Sequence, residues 1–386
     1  VKGIKMLKEE ILKELEQFKS ENRFRTIKTN DKNLFNFSSN DYLGLANNKE
    51  LLKEFYSNKE ADYTKYKLSS SSSRLIDGSY QTVMNLEKRV EEIYKKSCLV
   101  FNSGFDANSS LIETFFDKKS LIITDRLNHA SIYEGCVNSG AKILRYNHLD
   151  NFALEKLLEK YTKEYEDILV VTETIYSMDG DCANIKEIVK LKEKYKFLLM
   201  VDEAHSYGVK GYGIVYNEKL VNEVDFLVIP LGKAGASMGA YIICDEIYKK
   251  YMINKNRKFI YSTALPPVNH SWNLFILNKM LDFSDRIQKL DELVSYSLKK
   301  MKELKIKTVS DTHIISVIIG NNLKTINLSE KLKEKGYLAY SIKEPTVPKN
   351  TARLRISLTA DMEKEDLDKF FVILADEMMK IGVINE

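Results

Sequence analysis

Through the middle of the chain the apolar residues gather in short unbroken runs, at 98–101, 121–124, 168–172, 197–201, 226–229 and 241–244. Runs of that length without polar alternation suit strands buried on both faces, as in a mostly parallel sheet. Between them lie stretches with helical periodicity at 83–94, 131–138, 151–161 and 185–195, which supply the crossovers that parallel strands need. Beyond Pro266 and Pro267 the pattern changes to long helices at 271–280 and 290–304, with isolated strands near 314–319 and 352–358. The expected architecture is α/β, with a large domain over 46–270 and a smaller α+β domain over 271–386. Residues 1–45 form a helix and arm, the helix carrying an apolar stripe at Ile4, Leu7, Ile11, Leu15 and Phe18.

Length agrees, since 386 residues exceed what one core ordinarily organises. Charge narrows the function classes. Lys and Arg number 59 against 55 Asp and Glu, a net charge of +4 with no block of one sign, which argues against nucleic-acid binding. No stretch approaches the roughly 18 apolar residues of a membrane span, and the N-terminal stripe lacks the continuous apolar core of a signal peptide. Cys98, Cys136, Cys182 and Cys244 show no CxxC spacing, so a reduced, cytoplasmic protein without a metal site is expected.

An open parallel sheet binds ligands at the carboxyl ends of its strands. Asp202 ends the run 197–201 and is followed by Glu203, Ala204 and His205. A carboxylate there can hold a pyridine nitrogen protonated, and His205 can reach a phenolic oxygen, as a pyridoxal phosphate (PLP) site requires. The same four residues also spell a Walker B box. That reading needs a GxxxxGK[ST] loop, which the chain lacks; it also lacks the GxGxxG of a nicotinamide fold.

Lys233 lies 31 positions beyond Asp202, after the run 226–229, in Gly232-Lys233-Ala234-Gly235-Ala236. A lysine that carries a cofactor as a Schiff base must be partly neutral, and small neighbours let a bulky group approach. Ser103, Gly104 and Phe105 follow the run 98–101 and open a helical stretch over 106–116, where free N–H groups make a phosphate cup. His129, just past the run 121–124, either stacks on a flat cofactor or caps a helix. His148, His270 and His313 are read as structural.

With Asn36 to Leu45, Tyr176 to Asp181, Thr346-Val347-Pro348 and Thr351 to Ile356, these motifs make nearly the whole chain resemble the α-oxoamine synthases. Those are fold-type I PLP enzymes that condense an amino acid with an acyl thioester and release carbon dioxide. The resemblance implies a Schiff base on Lys233, Asp202 at the pyridine nitrogen, His129 on the ring, and Ser177 and His205 near its oxygen substituents. It further implies a phosphate held by Ser103, Gly104 and Phe105 with Thr263 of a second subunit, hence a homodimer with shared sites. Arg355, ahead of Arg353, would bind the amino-acid carboxylate; Asn40 would lie near the substrate, and Arg23 near the acyl group. Ser73-Arg74-Leu75 ahead of Asp77-Gly78 is most similar to members that join L-alanine to a pimeloyl group on coenzyme A or acyl carrier protein.

Other members take glycine or serine with other acyl groups, and a non-catalytic subunit of this fold is a further alternative, against which Lys233 stands. Two departures stand out. The serines at 69–73 replace a glycine-rich segment, and Pro230 occupies the place of a phosphate-binding threonine. Proline offers neither an N–H nor a side-chain donor, so the cup is expected to be short of donors.

Overall fold

The computed structural model describes residues 2–27, 29, 33–57 and 66–384, with residues 2–6 described by backbone alone; Val1 and the side chain of Ile4 therefore lie outside the described residues. The chain divides into two compact units, one of residues 40–292 with 359–361, the other of 1–39, 293–358 and 362–386.

The large unit is built on seven strands: β1 (Ser97–Phe101), β2 (Leu121–Asp125), β3 (Lys142–Tyr146), β4 (Ile168–Glu173), β5 (Leu198–Asp202), β6 (Phe226–Pro230) and β7 (Ala240–Cys244). Their order is β1-β7-β6-β5-β4-β2-β3, and the pairings are parallel except where β7 meets β1 and β6. All six apolar runs are strands. The seventh, β3, is an edge strand whose Lys142 and Arg145 are exposed, so it carries no unbroken apolar run to betray it.

The helices include α1 (Lys2–Ser20), α2 (Gln81–Tyr94), α3 (Gly104–Phe115), α4 (Ala130–Ser139), α5 (Asn151–Tyr161), α6 (Ile185–Lys194), α7 (Pro267–Lys279), α8 (Ser284–Glu303), α9 (Asn322–Glu334) and α10 (Lys364–Lys380), of which α9 and α10 fall outside the stretches expected from the sequence. In α1 the expected apolar positions Leu7, Ile11 and Leu15 are exposed. Leu111 and Ile112 of α3 and Ile132 and Cys136 of α4 share one core with Ile122, Leu169, Val171 and Met200 of the sheet. Burying each such side chain contributes about 1.5–3 kcal/mol. Gly135 is what lets α3 and α4 come so close, because a Cβ there would stand 2.7 Å from the Ser109 carbonyl oxygen. The crossing brings the first turns of both helices to the carboxyl end of the sheet.

The unit boundary falls inside α8, not at 270/271 as the change of pattern suggested. Helix α7 stays with the large unit through the indole N–H of Trp272, which donates to the Ala236 carbonyl (2.9 Å), and Asn273, which donates to that of Met238 (3.1 Å). Residues 40–45 belong there too. The Ala360 N–H donates to the Tyr42 carbonyl (2.8 Å), and Arg286 joins the Leu43 carbonyl to Asp361.

The small unit is α+β, with an antiparallel sheet of β8 (Ile314–Gly320), β9 (Tyr340–Ile342) and β10 (Ala352–Ser357) in the order β9-β10-β8. Phe35–Asn36 pairs in parallel with Tyr337–Leu338, which sets Phe37 against Phe370 of α10 with ring centroids 3.9 Å apart. Among the described residues no helix is long and apolar enough to cross a membrane, and no cluster of three or more potential metal ligands forms. Among the described residues the cysteines form no disulfide; Cys182 is exposed.

Candidate active site

A pocket of about 150 Å³ opens at the carboxyl ends of β2, β4, β5 and β6, lined by Ser103, Gly104, Phe105, His129, Asp202, His205 and Lys233 among others. Seven residues singled out from sequence thus meet in one cleft of the large unit.

Its floor is Asp202, the buried last residue of β5. Each carboxylate oxygen receives one N–H: Oδ1 from the Ala204 backbone (2.7 Å) and Oδ2 from Asn108 Nδ2 (2.6 Å). Asn108 also donates to Ser131 Oγ (3.0 Å), tying α3 to α4 across the pocket. Asn108 was not singled out from sequence; its one signal is its position a helical turn beyond Gly104, on the same face. Glu203 leaves the site altogether. Its Oε1 accepts the Val215 N–H, and burial pushes its pKa up to about 8, so the second letter of the would-be Walker box is a buried cap.

His129 caps the start of α4, one of the two readings offered for it, and it also lines the pocket. Its Nδ1 accepts the Ser131 N–H (3.2 Å) and lies 2.8 Å from the Ser131 hydroxyl, so the neutral ring carries its proton on Nε2. Burial lowers its pKa, with Lys233 adding to the effect and Asp202 opposing it. A neutral imidazole therefore faces the cleft. Its backbone N–H donates to Glu173, the buried last residue of β4 and another lining residue that sequence reasoning passed over. Burial lifts the Glu173 carboxyl well above the usual range, and Asp202 adds to the shift.

Behind His205, a lining residue, the buried hydroxyl of Tyr42 lies 2.8 Å from its Nδ1 and donates to Asn40 Oδ1 (3.0 Å). A phenol has one proton; with that proton on Asn40, His205 Nδ1–H is the donor to Tyr42. Two residues expected at the site are thereby linked through a third.

The cup at the start of α3 is smaller than expected. Ser103 Oγ accepts the Asp106 N–H (3.0 Å) and donates to Asp106 Oδ2 (2.9 Å), which engages the serine proton. The Ala107 N–H already bonds the Ser103 carbonyl (3.0 Å). The N–H groups of Gly104 and Phe105 remain for an anion. Pro230 packs directly on this turn, where a Cβ on Gly104 would stand 2.7 Å from the proline Cβ and Cγ.

Other expected residues are not among those that line the pocket. Ser177 is buried in the turn after β4 and is not among the pocket's lining residues. Thr263, expected from a second subunit, bridges to Ser73 in its own chain, and its carbonyl accepts from Asn102 Nδ2 (2.7 Å). Arg23 and Arg355 belong to the small unit. Arg23 pairs with Glu21 (2.6 Å), and Arg355, buried on β10, donates to Ser357 Oγ (2.7 Å). Arg353 donates to the Thr351 carbonyl (3.0 Å). Away from the pocket, His148 sits between Asp125 and Asp181, 2.9 Å from each. Burial pulls its pKa down, but the two carboxylates outweigh it and raise it to about 9.

A parallel sheet with a lysine, an acid-bound floor and a helix-end cup defines a PLP-dependent enzyme, and the chain belongs to the aminotransferase class I and II family, which it matches over residues 32–374, within its α-oxoamine synthase branch. It is 39% identical over 366 residues to the 8-amino-7-oxononanoate synthase of Haemophilus ducreyi, covering 92% of this chain and 94% of that one. The solved 8-amino-7-oxononanoate synthase of Francisella tularensis superposes with a TM-score of 0.78 at 26% identity, over 92% of this chain and all of the other. A serine palmitoyltransferase from S. paucimobilis, solved with a bound PLP–myriocin aldimine, matches the fold with a TM-score of 0.87 at 22% identity, over 97% of this chain and 98% of that one.

PLP suits the donor set. Asp202 retains lone pairs beyond its two N–H donors to accept from a protonated ring nitrogen, and two N–H groups at a helix start await the phosphate. The lysine lines the pocket beside the small residues Gly232 and Gly239.

Proposed function

We propose that this enzyme condenses L-alanine with a pimeloyl thioester, releasing carbon dioxide and the thiol and yielding 8-amino-7-oxononanoate, as a step of biotin biosynthesis. The supporting observation is the 39% identity, spread over 92% of the chain, to a synthase of that name. PLP bound through Lys233 supplies the electron sink for charge developing on the amino-acid α-carbon. Asp202, oriented by Asn108 and the Ala204 N–H, accepts from the ring nitrogen. Neutral His129 covers the ring without adding charge. His205, oriented by Tyr42, serves the ring's oxygen substituent, with Ser177 as its companion. Lys233, once displaced by the amino acid, takes the α-proton and returns one after carbon dioxide leaves. Arg355 binds the amino-acid carboxylate, Asn40 lies near the substrate, and Arg23 meets the acyl group.

In this reading the enzyme is a cytoplasmic homodimer in which Thr263 of each subunit completes the other's phosphate site. The test is a product assay by mass spectrometry with alanine, glycine or serine against pimeloyl-CoA and pimeloyl-acyl carrier protein. Mass corresponding to 8-amino-7-oxononanoate, with alanine preferred, is expected. Preference for glycine or serine, or for a short acyl group, would move the chain to another α-oxoamine synthase activity.

A further inference from the structure

Glu173 and Asp202 close neighbouring parallel strands in register, Glu173 of β4 opposite Asp202 of β5. Register partners project from the same face of the sheet, with strands about 4.8 Å apart, so two carboxyl groups stand side by side in the pocket. Both are almost fully buried, at 2% and 3% exposure. Two carboxylates in such a site do not both ionise, and hydrogen-bond donors decide which one keeps the proton. Asp202 receives a donor on each oxygen. Glu173 receives the His129 N–H on Oε1, the one hydrogen bond of its carboxyl among the described residues. The other charges facing Glu173 are Asp125 on β2, which opposes its ionisation, and Lys233 on the loop after β6, which favours it less strongly. Asp125 is itself served by the Leu127 and Leu149 N–H groups and by His148. Of the three carboxyls at this end of the sheet, Glu173 has the fewest donors.

We propose that Glu173 is a positioning residue that works as a neutral carboxylic acid: it anchors the start of α4, and with it His129, through the backbone, while leaving Asp202 as the single anion beneath the cofactor ring. The arrangement makes the ring nitrogen respond to one negative charge instead of two. The inference rests on the PLP reading of the pocket.

The test compares Glu173→Gln, which keeps a carbonyl acceptor without ever bearing charge, with Glu173→Ala, which removes the acceptor. In the first, the pH at which the visible band of Lys233-bound PLP titrates should stay within about 0.3 unit of the parent, and PLP affinity within about threefold. In the second, PLP affinity should fall about three- to tenfold, the range of one neutral hydrogen bond. A Glu173→Gln protein whose band titrates lower by a unit or more would overturn the proposal. At an effective dielectric of about 20, a unit charge removed from a distance of about 6 Å moves a titration by about two units. Infrared difference spectra of the apoproteins, parent minus Glu173→Gln, give an independent reading. A protonated-carboxyl band at neutral pH is expected, and its absence would also overturn the assignment. Absence of any Lys233-linked band in the parent would instead count against the PLP site, leaving the infrared measurement to decide Glu173 alone.

Discussion

Replacing Gly104 by alanine tests how the phosphate cup is built. In an ordinary helix Gly→Ala stabilises by roughly 0.5–1 kcal/mol, so any loss here measures something specific to the site. The added Cβ would lie 2.7 Å from Pro230 Cβ and Cγ and 3.7 Å from its Cα. Carbon atoms rest at about 3.5–4.0 Å, so the first turn of α3 must retreat by about 1 Å. The N–H groups of Gly104 and Phe105 ride on that turn, and a hydrogen bond stretched by that amount is largely lost. Overpacking of this kind costs about 1–3 kcal/mol, which corresponds to PLP binding weaker by about five- to a hundredfold. Equilibrium titration of the apoprotein with PLP measures the change. Pro230→Gly removes both clashing carbons at a backbone-entropy cost of up to about 1 kcal/mol. Glycine at 230 should therefore restore most of the affinity lost by Gly104→Ala, with a coupling energy of about 1–2 kcal/mol in the double-mutant cycle. Additive losses would refute the reasoning, because the turn would then have moved for a cause other than contact with Pro230.

Borohydride reduction of the PLP-loaded protein should fix the label on Lys233, and Lys233→Ala should retain some PLP yet lose turnover almost completely; a labelled peptide without Lys233 would reassign the attachment. Arg355→Ala should weaken alanine binding far more than PLP binding, read by separate titrations, whereas equal losses would mean that the arginine supports β10. For His148, whose folded pKa of about 9 exceeds the ordinary 6.5, the stabilising contribution is full below pH 6.5 and disappears as pH rises through 9. The stability gap to His148→Gln, measured by chemical denaturation, should reach about 3 kcal/mol near pH 6 and shrink toward pH 10; a gap independent of pH would show that His148 is neutral between its carboxylates.

Much of this architecture was legible because the large unit's sheet is buried on both faces. The runs at 121–124 and 226–229 needed no partner information to be recognised as strands. Lys142–Tyr146 escaped because an edge strand keeps one side in solvent and so carries charge. The domain boundary escaped for a different reason. Trp272 and Asn273 are bound to carbonyls 36 and 35 residues earlier, and no local pattern reports where such a bond will close.

The site divides along the same line. The rule that ligands gather at the carboxyl ends of parallel strands was enough to select Asp202, Lys233, His129 and the turn at Ser103, each adjacent to an apolar run. Glu173 satisfies the same rule, yet it was hidden because the run was read as ending at Thr172, one residue short of the strand's end. Asn108 and Tyr42 satisfy no such rule. One lies inside a helix and the other in an irregular segment, and each matters through the single polar atom that it brings to Asp202 or His205. Arg353 and Arg355 show the converse limit. Alternation along β10 puts both on one face, so strand periodicity cannot choose between them. Both guanidiniums also meet a serine hydroxyl, Arg353 Nη1 that of Ser316 (3.5 Å) and Arg355 Nη1 that of Ser357 (2.7 Å), so these bonds do not choose between them either, and separate titrations of alanine binding to Arg353→Ala and Arg355→Ala are what distinguish the two.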